Sequence, residues 1–452
     1  MLQSLTRQLN NILDRLFKNP LFRRVVKNTS YLFGATGISA GIGMLQGILA
    51  ARLLGVAGFG ILGAITMYAS VINKFASFRM SELVVKYVGL YTEQSNRDRA
   101  AAVFKAAALT EMLASIFAFT LIWVLAPLGA QYLVKDVSLS QWFIVYGLIV
   151  LGNLFYESSM GLLQIFNHFR RIAAVNVVQS LVTLTLITLV FITDGGLFEV
   201  LLAYLAGKFI GALGITLSAL IVATQQWGTG WWNISLKCLK SRARELVNFA
   251  VSTYISGSLS LFTKDSELLW VSFFRSPVET GYYKLALALA NLVQMPVSPL
   301  PQTTYPELSR EAARNNWDSF RYLLRQGSLL AGAYTVAATA FLILFGKLII
   351  EYIYKPEFLP AYPALVILLA GFLVANTFYW NRVALLALNR PDFPAIVNFI
   401  LAVIKVGLII FLVPQYGFLA SAALLAGFYI ISVSVNALKT RSIINQNIYS
   451  GA

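Results

Sequence analysis

Seven charged side chains interrupt the apolar runs of this sequence. Lys264, Asp265 and Glu267 stand at the middle of NFAVSTYISGSLSLFTKDSELLWVSFF (248–274), a stretch long enough to cross a bilayer as a helix. Lys208 and Lys405 lie near the centres of two further runs, and Glu111 and Glu157 lie a few turns inside two others. Each such charge costs on the order of several kcal/mol in hydrocarbon unless it is paired or wetted. Lys208 and Lys405 occupy nearly equivalent places in the two halves of the chain and suit a phosphate-bearing headgroup; the alternative is ion pairing with Glu111 or Glu157. Glu111 and Glu157 are themselves candidates to titrate with transport or, equally, to partner a lysine or a hydroxyl. Lys264 and Glu267, three residues apart, can pair on one helix face. Asp265 points about 100° away and has no local partner, which makes it the candidate for exchanging a proton or counter-cation. Arg52, Lys284 and Arg382 lie closer to an interface, where snorkelling competes with phosphate binding. Asn153 and Tyr156, with Asn376, Tyr379 and Asn381, form a polar and aromatic set in corresponding runs; it suits a sugar or, equally, an aromatic belt.

These residues need a scaffold inside a membrane. Of 452 residues, 58% are hydrophobic and 12% charged, against about a quarter charged in globular proteins. The net charge of +16 belongs to loops facing anionic lipid, since no soluble stretch is long enough to carry a nucleic-acid-binding face. One cysteine, Cys238, excludes a disulfide framework, and one histidine, His168, excludes a histidine-rich metal site. Gly34, Gly37, Gly41, Gly43 and Gly47 follow no strand and precede no Gly-Lys-Ser/Thr, so they read as close helix packing. No cofactor is expected, and coupling to a proton, a sodium ion or the membrane potential is the available energy source.

Apolar periodicity over residues 2–18, ended by Asn19-Pro20, predicts an amphipathic helix on the membrane surface. Twelve spans follow, near 29–52, 56–78, 104–126, 141–165, 173–193, 198–222, 247–273, 281–303, 324–346, 363–386, 395–413 and 417–437. Basic residues concentrate in every second connection, which places both termini in the cytoplasm. The first apolar run is too long for a cleavable signal. The chain repeats at about 220 residues: Asn28 and Gly37 match Asn248 and Gly257, Asp98 matches Asp318, and Asn167 and Asn176 match Asn389 and Asn398. Six helices per repeat is an even number, so the halves enter from the same side and the repeat is parallel. The expected organisation is an all-α polytopic membrane protein: a surface helix (1–28), an N-lobe (29–222), a basic linker (223–246), a C-lobe (247–437) and a tail (438–452). The two six-helix lobes are expected to face each other across a central cleft.

Five motifs carry a family resemblance over nearly the whole chain: ARLLGVAGFGILGAI (51–65), Asp265 in helix 7, ETGYYKLALAL (279–289), PELSRE (306–311) and NRPDFPAIVN (389–398). They resemble the O-antigen-type polysaccharide biosynthesis flippases of the multidrug/oligosaccharidyl-lipid/polysaccharide exporter (MOP) superfamily. The resemblance implies that the two six-helix lobes form a V, in a non-enzymatic, alternating-access transporter of the cytoplasmic (inner) membrane of a bacterial cell envelope. It moves a polyprenyl pyrophosphate-linked glycan, with polymerase and glycosyltransferases as partners and no nucleic acid. The sequence departs from that pattern in setting Lys264 and Glu267 beside Asp265. Alternatives are a cation-coupled multidrug exporter, which needs an acidic cavity, and a non-transporting scaffold for polysaccharide synthesis.

Overall fold

A computed structural model describes residues 20–450, which contain helices and no strand. The surface helix expected at 2–18 lies outside the described residues. Long helices dominate: α1 (Pro20–Ala76), α3 (Arg97–Gly129), α7 (Phe169–Ile192), α8 (Leu197–Trp227), α13 (Trp317–Ile349), α16 (Asp392–Tyr416) and α17 (Phe418–Ser450). Shorter pieces lie between them: α2 (Met80–Glu93), α4 (Ser140–Gly147), α5 (Ile149–Gly152), α6 (Tyr156–Ile165), α9 (Ala243–Ser260), α10 (Glu267–Phe274), α11 (Pro277–Gln294), α12 (Leu300–Ala313), α14 (Tyr362–Thr377) and α15 (Asn381–Ala387). Backbone groups in lipid must bond internally, which is why helices carry this chain across.

Among the described residues, nine segments are long and apolar enough to span a membrane. They differ from the expected twelve in three places. Spans 1 and 2 run on as α1, kinked at Gly55, whose φ is 66°. Spans 7 and 8 are not among the nine: among the described residues the helix there gives way to a π-helical turn at Leu261–Asp265 and is interrupted at 295–299, where Pro296 and Pro299 stand. The last helix also continues beyond the expected boundary at 437, to Ser450.

The internal repeat is visible in local structure. α2 and α12 begin at Met80 and Leu300, and α3 and α13 at Arg97 and Trp317, each 220 residues apart. Asn96 and Asn316 cap the latter pair by accepting from the N–H groups of Arg99 and Ser319. Both end in a π-helical turn, Ala130–Val134 and Ile350–Tyr354. Asn167 and Asn389, the matched turn residues, have φ of 57° and 56°.

Packing divides the chain elsewhere than the repeat does. One compact unit is Ile38–Lys284, called the first unit below; the second comprises the described residues of 20–37 and 285–450. Residues 247–284, expected in the C-lobe, therefore pack within the first unit. Their attachment there is close. A Cβ on Gly60 would stand 1.9 Å from the Pro277 carbonyl oxygen, and one on Gly281 would stand 2.2 Å from that of Val56. The Lys284 ammonium donates to the Phe59 carbonyl (3.1 Å) and lies 3.8 Å over the Phe59 ring. Backbone on backbone leaves no side chain to yield, so Gly281→Val should destabilise the first unit by at least the ~1–3 kcal/mol typical of overpacking. Thermal unfolding of the purified protein measures it; an unchanged midpoint would contradict this seam.

Candidate functional site

The first unit holds a polar cavity of ≈ 240 Å³. α1 supplies Thr66, Ser70 and Asn73, the region of α4–α6 supplies Tyr146, Asn153 and Tyr156, α7 supplies Gln179, and α8 supplies Lys208. A second space of ≈ 140 Å³ shares Asn73, Asn153 and Tyr156 with it and reaches Ser77, Ser115, Glu111 and Glu157. Three predicted residues, Lys208, Asn153 and Tyr156, thus line one cavity. Asn73 and Gln179 were missed, although a lone amide within an expected span is the same kind of signal as Asn153.

The carboxylates here are engaged by hydrogen bonds. The span containing α5 breaks at Asn153–Phe155, and α6 restarts with orphan N–H groups inside a membrane helix. Glu111 of α3 accepts from the N–H of Glu157 (2.6 Å), the N–H of Ser158 (2.9 Å) and the Ser158 hydroxyl (2.7 Å). A carboxylate at a helix N-terminus satisfies the donors and suits the dipole. Glu157 accepts from the Ser81 hydroxyl at 2.6 Å. Pairing of either acid with Lys208 or Lys405 is corrected accordingly. Lys208 is exposed and has no hydrogen bond or ion pair among the described residues.

The expected charge arrangement of helix 7 also changes. A π-helical turn, Leu261–Asp265, separates α9 from α10 and rotates the residues after it. Lys264 is left exposed without an ion pair among the described residues, and Glu267 is buried at 1% exposure with the Tyr283 hydroxyl 3.4 Å away, so the two do not pair with each other. Asp265 has partners after all: the Lys74 ammonium at 3.2 Å and the Ser260 hydroxyl at 2.6 Å. Half of the Lys74 side chain is solvent-accessible, so this pair contributes at most ~1 kcal/mol.

In the second unit the matching residues are used differently. Asn376 and Tyr379 follow Asn153 and Tyr156 by 223 residues, yet the Asn376 amide donates to the Val293 carbonyl (3.4 Å) and the Tyr379 hydroxyl meets Thr304 (3.1 Å). Both are buried and hold the proline-broken segment after α11. Asn381 bonds the Phe378 carbonyl and the Asn436 amide across the break before α15. Ala331, 220 residues after Glu111, carries no charge to that break. Lys405 is buried at 3% exposure, 5.4 Å over the Phe428 ring. It sits on α16, the counterpart of α7, whereas Lys208 sits on α8, the counterpart of α17; the two lysines are therefore not repeat mates. Arg52 and Arg382 are exposed.

Helices interrupted around a polar cavity, with a free cation inside a span, define a polytopic all-α membrane protein built like a transporter. Solved structures share this fold. A lipid II flippase MurJ in an inward closed conformation superposes with TM-score 0.71 at 17% identity, over 91% of this chain and 87% of its own. An inward-facing multidrug resistance MATE family transporter of the MOP superfamily gives 0.66 at 15%, over 92% and 96%. A MOP superfamily transporter from Pyrococcus furiosus gives 0.65 at 13%, over 96% and 98%. The chain belongs to the polysaccharide biosynthesis protein family, whose profile matches residues 25–311. It is also 22% identical over 364 residues to the inner membrane protein YghQ of Escherichia coli K12, covering 76% of this chain and 97% of that one.

Proposed function

We propose that this protein is a flippase that carries a polyprenyl pyrophosphate-linked oligosaccharide from the inner to the outer leaflet of the cytoplasmic membrane by alternating access, as a transporter and not an enzyme. One observation carries the reading. Within the first unit the mid-span acids Glu111, Glu157, Asp265 and Glu267 all accept bonds from the protein, while the cations Arg52, Lys208 and Lys264 have no partner among the described residues. The charge left for a ligand is positive, which favours an anionic headgroup. Asn153, Tyr156 and Gln179 beside Lys208 offer amide and phenol hydrogen bonds, and the Tyr156 ring a face, for the first sugar. Family membership supports the saccharide, and a lipid II flippase among the structural relatives supports a lipid-borne cargo.

Asp265 is assigned the coupling role, its Lys74 partner being exchanged for a proton or sodium ion as the cavity fills. Polymerase and glycosyltransferases are the proposed neighbours, and an inner-membrane relative supports that location. Deleting the gene should abolish a surface polysaccharide and strand its lipid-linked precursor on the cytoplasmic leaflet. An unchanged polysaccharide profile would overturn the assignment. The MATE-like fold favours a second reading, export of cationic drugs; raised tolerance to cationic dyes on overexpression would select it instead.

A further inference from the structure

The basic segment after α8 is fastened to the first unit at both ends. At its start, Trp231 is 7% exposed and packs against Phe104 (5.3 Å between ring centroids) and Trp227 (6.0 Å). The Lys105 ammonium donates to the carbonyls of Trp232 and Ile234 (2.5 and 3.2 Å). Short turns, Trp231–Asn233 and Leu236–Arg242, follow, with Leu239 buried in the second. At its end Glu245 accepts from the Tyr87 hydroxyl (3.1 Å) and Arg242 lies 6.0 Å over the Tyr91 ring. Burial and the Glu245 carboxylate raise the Tyr87 pKa above its ordinary value, which keeps this phenol a donor.

A connection serving only as a covalent tether would need none of this fixing. The parts left facing outward are of two kinds. Trp232 is 59% exposed and Leu236 40%, while their neighbours Trp231 and Leu239 are buried. Lys237, Lys240 and Arg244 are exposed, and none of them has an ion pair or hydrogen bond through its side chain among the described residues. An amphipathic indole and an aliphatic side chain beside three free cations, at the end of a spanning helix, match the boundary of an anionic bilayer in both polarity and charge. Basic residues alone would suit any anion; the held-out Trp232 and Leu236 favour a lipid surface over a soluble one.

We infer that residues 231–244 form a binding site for anionic phospholipid, with Trp232 and Leu236 seated among acyl chains near the headgroups and Lys237, Lys240 and Arg244 holding phosphate. Each such cation near an anionic surface multiplies binding on the order of five-fold. The intact protein is reconstituted in phosphatidylcholine vesicles containing phosphatidylglycerol, with bromine carried on the acyl chains of one lipid or the other at equal mole fraction. Subtracting the fluorescence of Trp232→Phe from that of the wild type isolates Trp232. Stronger quenching by brominated phosphatidylglycerol, removed by Lys237→Glu with Lys240→Glu, is the expected result. Equal quenching by the two lipids, or a preference that survives the charge reversal, would overturn the site. An unquenched Trp232 would also overturn it and point to an acidic protein partner on this surface. Both outcomes are independent of the cargo, since neither lysine lines the cavity.

Discussion

Replacing Lys208 with glutamine should lower transport of the lipid-linked saccharide by ten-fold to about a hundred-fold while leaving the amount of folded protein unchanged. The magnitude is that of one hydrogen bond to a charged group, about 1.5–3 kcal/mol. The separation of activity from stability follows from the geometry. Lys208 bonds to nothing in the protein among the described residues, so its removal orphans no acceptor there. Lys208→Glu should be worse than glutamine, since it places a like charge against phosphate, and Lys208→Arg should retain most activity. Transport rate in vesicles and the thermal midpoint, measured on the same preparations, check both halves. A Lys208→Gln protein that transports normally, or one that fails to fold, would contradict the assignment.

Glu111 should behave in the opposite way. Glu111→Leu removes the acceptor for two N–H groups and one hydroxyl at the restart of α6; the hydroxyl retains the Phe155 carbonyl at 3.2 Å, whereas each N–H costs ~1–3 kcal/mol when buried without a partner. For the two N–H groups the sum, roughly 2–6 kcal/mol, should appear as poor yield and a depressed unfolding midpoint, whatever the cargo. Glu111→Gln keeps an oxygen for one donor and should lose less. Wild-type stability of Glu111→Leu would show that the broken span is held by something else.

What was legible in the sequence was whatever is carried by period and position. Apolar run length marked the spans, and the 220-residue offset recurs in the caps at Asn96 and Asn316 and in both π-helical turns. Lys208, Asn153 and Tyr156 were recognisable because polar groups inside apolar runs are few, and three such groups share a cavity. Pairing was not legible, because it depends on phase. The turn at Leu261–Asp265 shifts the helix register, so Lys264 and Glu267 part and Asp265 turns to Lys74, 191 positions earlier in the chain. The role of Glu111 as the acceptor for a restarting helix was not legible, since nothing in the sequence around Asn153 announces that a helix breaks there and needs a carboxylate. The close seam of Gly60 and Gly281 was hidden for a similar reason: glycine reports that space is needed without naming the backbone that fills it.

The central claim is that the free positive charge of the first unit selects an anionic, lipid-linked saccharide. Purified protein reconstituted in liposomes tests it most directly, with a polyprenyl pyrophosphate-linked oligosaccharide initially in one leaflet and its appearance in the other followed by a membrane-impermeant sugar-binding or sugar-modifying probe. Translocation that requires Lys208, is competed by other pyrophosphate-bearing lipids and is indifferent to cationic dyes is the predicted result. Transport of cationic dyes in the same liposomes, with the saccharide lipid staying in its original leaflet, would contradict it.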